Sequence, residues 1–452
     1  MTVRHTDRQL SPRASTAAFA ASAVNGLSRL LGRGSGTVIG GRAGLAVDPS
    51  LLAELARHRR VALVTGTNGK TTTTGMLVAA LTDDGDGGGV ATNQTGSNMP
   101  AGHVAALIGA RHADTAVLEV DEGYLGRLIE EARPSVVVLL NLSRDQLDRI
   151  AEVRMLVDRW RLALATLGGS GADGAVPVVV ANADDPMVAW AAMTAPDVRW
   201  VGAGQVWHED AVGCPACGGR IVFDDDDDDD GGGGGWQCDR CDFARPERSA
   251  WLEERDLVLA DGTRHPLAIG LPGQFNRANA VMVAVAAPAM PPRPGRPPIT
   301  VDGALERLSR LGEVAGRFST VHRHGRDVRL LLAKNPAGWT AIFDLLDESD
   351  PGSPVVLSVN ARVADGYDPS WLWDVPFERL VGRTVVATGE RCRDLAVRLR
   401  YAEVDHATVE DPLEALDAAA GAVGSGDGPA VAPPPVEFLG NYTAFATLRS
   451  RL

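Results

Sequence analysis

The chain has 452 residues, a formal net charge of −14 and 45% hydrophobic residues. That length predicts two to four domains with sizeable cores, and the acidic balance excludes a general nucleic-acid binder, which needs a basic surface. Seven of the negative charges form one run, Asp224–Asp230, and only two of the 44 basic residues are Lys, Lys70 and Lys334.

Taken in chain order, Ser15–Leu31 reads as an amphipathic first helix, and no run of 18 apolar residues predicts a membrane span. Residues 51–60 look helical, Val61–Val64 is a short apolar strand, 65–73 is a Gly/Thr turn and Thr74–Leu81 is the next helix. Apolar runs recur at Thr115–Val120, Ser135–Asn141 and Val176–Ala181, with helical patterns at Leu125–Ala132 and Val153–Leu167 between them. This alternation predicts a doubly wound parallel sheet. Residues 205–250 interrupt it with four paired Cys and an Asp/Gly tract that cannot bury apolar surface and reads as a spacer. Pro288–Pro298 marks a boundary. Beyond it, runs at Val328–Leu332, Val355–Val359 and Thr384–Ala387 predict a smaller α/β domain. The expected division is 1–300, with 205–250 inserted, and 301–452.

The segment Thr65-Gly66-Thr67-Asn68-Gly69-Lys70-Thr71-Thr72 joins a strand to a helix. Glycines let backbone wrap a phosphate, and amide hydrogens at a helix start point at the anion. Lys70 would reach the β/γ-phosphates of ATP and the Thr71 hydroxyl would hold Mg²⁺. The strict phosphate-loop pattern fails, because Val64 stands where its first Gly belongs. Lys and Arg are not interchangeable where a compact ammonium is needed, so Lys70 and Lys334 are the first places to look.

Cys214-x-x-Cys217 and Cys238-x-x-Cys241 have the spacing of a zinc ribbon, in which four thiolates close a tetrahedral structural site with no open position for catalysis. A metal in a reducing compartment is expected rather than disulfides. Cys392 stands alone and reads as a partly buried thiol. Near the C-terminus, Lys334 ends a strand and precedes Asn335-Pro336-Ala337-Gly338. Asn360, Asp365, Asp368 and the aromatics Trp371 and Trp373 form a site-like loop at another strand's C-terminal edge.

The phosphate loop resembles the variant found in the Mur ligase superfamily. Glu119 in Val117–Gly123 matches that family's Mg²⁺-binding Glu. Asn141–Arg149 resembles its Asn-x-x-x-Asp-His-Leu-Asp-Arg segment, with Gln146 in place of the His. Asn182–Pro186 matches its Asn-x-Asp-Asp-Pro turn. Asn279 matches the Asn that contacts adenine, and Arg317 the Arg that contacts phosphate. About 60 residues precede the loop, so a soluble UDP-linked substrate is not expected. With the zinc ribbon, the Ala333–Gly338 motif, the Asp365–Asp374 motif and Asn441–Ala444, the resemblance narrows to the MurT family, synthetase subunits of lipid II isoglutaminyl synthase.

The resemblance implies a cytoplasmic ligase acting at the inner face of the membrane with ATP, Mg²⁺ and structural Zn²⁺. It implies amidation of the D-Glu α-carboxylate of the lipid II stem peptide through an acyl phosphate, using ammonia from a GatD-type glutaminase partner. Asp368, with Asp365 as runner-up, would complete that partner's Cys–His pair. Lys334, Asn360 and Asp365 are candidate substrate or acyl-phosphate residues. The competing expectations are a stand-alone ligase adding an amino acid and a zinc-ribbon scaffold with a vestigial nucleotide site.

Overall fold

The computed structural model describes residues 10–30, 37–82, 89–94, 97–143, 150–168, 174–204, 208–224, 235–311, 318–422 and 433–452. Gln146, Arg317 and the tract from 225 to 234 lie outside the described residues.

Three helices lead the chain: α1 (Pro12–Leu30), α2 (Thr37–Val47) and α3 (Leu51–Ala56). An alternating series follows: β1 (Arg60–Thr65), α4 (Lys70–Leu81), β2 (Val90–Thr92), α5 (Pro100–Gly109), β3 (Thr115–Glu119), α6 (Leu125–Ala132), β4 (Val136–Leu139), α7 (Ile150–Ala165), β5 (Val178–Asn182), α8 (Pro186–Ala192) and β6 (Val198–Gly202). A small hairpin, β7 (Ile221–Phe223) and β8 (Trp236–Cys238), precedes β9 (Ala250–Glu253), β10 (Asp256–Leu259) and β11 (Arg264–Pro266), then α9 (Gln274–Ala289) and α10 (Val301–Ser309). The remainder is β12 (Phe318–Arg323), β13 (Arg326–Leu332), α11 (Pro336–Asp347), β14 (Val355–Ser358), β15 (Val385–Thr388), α12 (Cys392–Tyr401), β16 (His406–Thr408), α13 (Pro412–Ala422), β17 (Val436–Gly440) and α14 (Tyr442–Arg449).

The expected parallel sheet is present as nine strands in the order β11-β10-β9-β6-β5-β4-β1-β3-β2, parallel from β9 through β2 and closed at one edge by the antiparallel pairs β9/β10 and β10/β11. Alternate residues of its central strands feed opposite faces, as a strand period of two requires. Leu63, Val137 and Leu139 pack with α3, α5, α6 and α7, while Ala62, Val64, Val136 and Val138 pack with α4, α9 and α10. Both faces are covered, so the strands are apolar throughout. A second sheet, β12-β13-β17-β14-β15-β16, is parallel except at β12/β13 and rests on a core containing Trp339, Phe343, Trp371 and Phe377.

The Pro-rich tract behaves differently from its sequence reading in one respect. Pro288 lies inside the last turn of α9. So close to a helix end, its missing N–H costs one hydrogen bond rather than interrupting a ladder. Beyond the tract, α10 packs back on α9 and α4. No described helix is long and apolar enough to cross a membrane.

Candidate functional site

Strand β1 ends at Thr65, and the loop 66–69 turns its C-terminal edge into α4. Gly66 and Gly69 have φ of +143° and +83°, which a side chain would strain. Asn141, just past the neighbouring strand β4, fixes the loop crest. Its Oδ1 accepts from the Asn68 N–H at 2.9 Å and its Nδ2 donates to the Asn68 carbonyl at 3.1 Å. Thr67 is held by the Asn141 carbonyl and by Ser143. Lys70 is buried at the base of the loop. Its ammonium donates to the carbonyls of Gly66 (2.5 Å) and Thr67 (3.2 Å) and pairs with Glu122 at 2.9 Å. Thr71 and Thr72 begin the helix, half-buried.

The same device recurs at β3. Asn93 pairs with both backbone groups of Glu119, at 2.9 Å each, and His103 Nε2 lies 2.8 Å from the Glu119 carbonyl oxygen. Glu119 closes β3 opposite Val64 of β1, one residue before the end of the strand that leads into the phosphate loop. Burial pulls the His103 pKa down to about 4, against the opposing effect of the Glu119 carbonyl, so the ring is neutral and donates through Nε2. Burial pushes the Asp185 carboxyl up to about 6 and Asp184 upward too. Asp185 caps α8 through the N–H groups of Met187 and Val188 and accepts from Leu142 N–H at 2.8 Å, which gives it a structural task.

Across from the loop, Asn335 caps α11 and accepts from the Asn68 side-chain amide at 3.2 Å. Arg277 of α9 pairs with Glu348 after α11 at 3.1 Å. Gly69, Thr72, Asn279 and Lys334 line one cavity between the two sheets, so the structure gathers the two Lys-containing motifs around neighbouring space. Asn279 lies close enough to Gly69 that an added Cβ there would meet its Oδ1 at 3.0 Å.

Asn360, Asp365 and Asp368 have separate environments. Asn441 pairs with both backbone groups of Asn360, at 3.1 and 2.7 Å, and Asn360 itself reaches Thr443 and Glu390. Asp365 accepts from the backbone N–H (2.9 Å) and the hydroxyl of Thr443, which ties the loop to the start of α14. Asp368 is exposed. The Ser370 backbone N–H and hydroxyl hold its carboxyl below the usual range. Tyr367, Trp373, Tyr401 and Tyr442 are exposed too, and Trp373 meets Tyr401 edge-on with ring centroids 5.3 Å apart.

The four paired Cys converge as spacing suggested, with all Sγ atoms within 4.8 Å of one another. Cys214 and Cys241 are 3.8 Å apart and Cys217 and Cys238 3.5 Å. A tetrahedron with Zn–S bonds of about 2.3 Å has edges of about 3.8 Å, so the thiols fit zinc. The Gly219 and Arg240 N–H groups point at the Cys217 and Cys238 sulfurs, as at zinc knuckles. Cys392 is buried at the start of α12, where burial raises its pKa.

Residues 332–445 match the family description "MurT ligase C-terminal", and residues 64–209 match "Mur ligase middle domain". The chain is 30% identical to the lipid II isoglutaminyl synthase (glutamine-hydrolyzing) subunit MurT of Streptococcus pneumoniae over 83% of each chain. The chain belongs to the MurT family. The MurT subunit of Staphylococcus aureus is 28% identical over 86% of this chain and 88% of its own. Among solved structures, a pseudomurein peptide ligase type C from Methanothermus fervidus shares the fold (TM-score 0.59, 19% identity, 87% of this chain and 79% of that one). Mycobacterium tuberculosis folylpolyglutamate synthase complexed with ADP does so as well (TM-score 0.56, 15% identity, 98% and 95%). The family is one of ligases, and the fold is that of Mur-type enzymes.

Sequence reasoning missed Glu122, Asn93 and His103, and it named Asn141 and Asn441 as motif residues without their role as backbone clamps. Glu122 lies three residues beyond Glu119 and was legible only as part of the same acidic stretch. The clamps depend on which strands are neighbours.

Proposed function

We propose that the chain is the synthetase subunit of a lipid II isoglutaminyl synthase. The observation that carries this is the meeting of the phosphate loop with the Lys334–Asn335 turn at one cavity, linked by the Asn68–Asn335 hydrogen bond. ATP binds with its phosphates over the loop, and Lys70 leaves the Gly66 and Thr67 carbonyls and Glu122 for phosphate oxygens. Thr71 and Glu119 are the residues that would hold Mg²⁺, which when bound offsets phosphate charge. The γ-phosphoryl passes to the D-Glu α-carboxylate, releasing ADP. Ammonia then attacks the acyl carbon, its nitrogen lone pair forming the C–N bond as inorganic phosphate leaves, and D-isoglutamine results. Lys334, which lines the same cavity as Gly69 and Thr72, is assigned to steady the transferred phosphoryl group, where an ammonium would stabilise developing charge.

The ammonia source is a GatD-type glutaminase. Asp368, exposed and with its carboxyl held below the usual range by Ser370, is available to orient the partner's catalytic His in the manner of a triad carboxylate. Four structural Cys and the buried Cys392 leave no exposed Cys outside the zinc cluster among the described residues. The complex works on lipid II at the cytoplasmic face of the membrane, and its domain boundary falls beyond α10, which packs on α4 and α9 of the first sheet, rather than at residue 300.

The test is mass analysis of lipid II after incubation with ATP, glutamine and the co-purified complex. Amidation lowers the mass by about one unit. Lys70→Ala is expected to abolish it, and retained amidation refutes the ATP site. Asp368→Asn is expected to lose glutamine-driven but keep ammonia-driven amidation; loss of both refutes its assigned part.

A further inference from the structure

Two compartments adjoin at the phosphate loop. The one against Gly69, Thr72 and Lys334 has a volume of about 150 Å³. Sites for ligands of drug size run to roughly 300–1,000 Å³, so this compartment is too small for a whole nucleoside triphosphate. It shares Asn68, Asn141 and Asn279 with a second compartment of about 560 Å³.

The second compartment has a wall that belongs to the zinc-ribbon insert. His208 and Phe223 both line it, with ring planes within 3° of parallel and centroids 4.0 Å apart. The insert is fixed to the nine-stranded sheet. Trp236 Nε1 donates to the Ala183 carbonyl at 3.0 Å, Arg245 pairs with Asp184 at 3.3 Å, and Phe243 meets Trp190 edge-on at 5.4 Å. All three contacts fall on the turn after β5 or on α8. The aromatic wall is therefore held at a set position relative to the phosphate loop.

We propose that the ribbon insert supplies the nucleobase wall of the ATP site, the stacked His208–Phe223 pair being the platform on which adenine lies. This rests on the phosphate-loop reading proposed above. The phosphates and ribose occupy the smaller compartment, and the base extends past Asn279 into the larger one. A parallel ring pair offers a flat apolar face, which suits a purine. Zinc held by Cys214, Cys217, Cys238 and Cys241 would close the knuckles that flank β7, whose last residue is Phe223, and so would bear on the nucleotide only through that strand.

Titration calorimetry on the full-length, zinc-loaded chain tests this, with Mg²⁺-AMP-PNP and inorganic tripolyphosphate as the two probes. His208 is exposed and outside the knuckles, so His208→Ala leaves the ribbon folded, and Phe223→Leu keeps apolar volume while removing the flat ring. Each variant is expected to raise the AMP-PNP Kd about fivefold or more, as loss of base stacking does, with tripolyphosphate Kd and bound zinc unchanged. An unchanged AMP-PNP Kd in His208→Ala, or equal weakening of both probes, overturns the proposal. Tripolyphosphate binding that Lys70→Ala abolishes keeps the phosphate-loop reading standing in either case.

Discussion

Acidification tests the way His103 is held. The ring has no exposed surface, donates through Nε2 to the Glu119 carbonyl, and leaves Nδ1 buried without a hydrogen-bond partner among the described residues. A proton on Nδ1 would have nowhere to point, and burial accordingly takes the pKa from 6.5 to about 4. The unfolded chain then binds a proton before the folded one does. The stability this site contributes is complete above about pH 6.5 and drains away as pH falls toward 4. A shift of about 2.5 units sets a ceiling of roughly 3 kcal/mol, of which roughly 2 kcal/mol is lost by pH 5. The matched variant is His103→Gln, whose side-chain N–H can still reach Glu119 but does not titrate in this range. Urea unfolding at pH 7 and pH 5, as the wild type minus variant difference, cancels other titrations. Among these is Asp185, which acts in the opposite sense: with its pKa raised to about 6, its stabilisation is present below the unfolded value and lost as pH rises through 6. The wild type should lose about 2 kcal/mol relative to His103→Gln. Parallel pH dependences refute the reasoning.

Three further outcomes are expected. Elemental analysis should find one zinc per chain, and a strong chelator should unfold the ribbon, since a structural zinc supplies on the order of 10 kcal/mol of local folding energy; a chelated chain with unchanged near-ultraviolet dichroism contradicts this. Gly69→Ala puts a side chain at φ +83° and 3.0 Å from Asn279 Oδ1, so nucleotide Kd should rise about tenfold by calorimetry, in keeping with a left-handed penalty of roughly 1–2 kcal/mol. Asp365→Ala removes the acceptor for Thr443 and should lower glutamine-driven amidation several-fold while ammonia-driven amidation holds, as read by the lipid II mass shift.

The parts of the site legible in sequence are those whose geometry is local. The phosphate loop is one continuous stretch with Lys70 at a fixed offset from its glycines, and the zinc ligands are two knuckles whose spacing sets their shape. The alternating apolar runs gave the parallel sheet because both its faces are buried. Pairings across strand register were not legible. That Asn141 reaches Asn68, or Asn93 reaches Glu119, follows from β4 lying beside β1 and β2 beside β3, and 73 residues separate the first pair. The same holds for the ribbon's seat on the Asn182–Asp185 turn. Sequence placed Asp365 and Asp368 in one motif, and only their surroundings part them: one is bound to Thr443, the other faces solvent.

The clamp on Asn68 also bears on how the protein ages. Asn68 precedes Gly69, and an Asn–Gly pair is chemically labile because the glycine nitrogen can attack the side-chain carbonyl carbon, expelling ammonia to form a succinimide, which water opens to Asp or isoaspartate. Either product would set a carboxylate where phosphate should bind. Closure needs the Asn68 backbone to rotate, yet Asn141 holds both its backbone groups and Asn335 holds its amide nitrogen. The contacts that shape the loop for an anion thereby slow its chemical decay, and loosening any of them shortens the working life of the molecule.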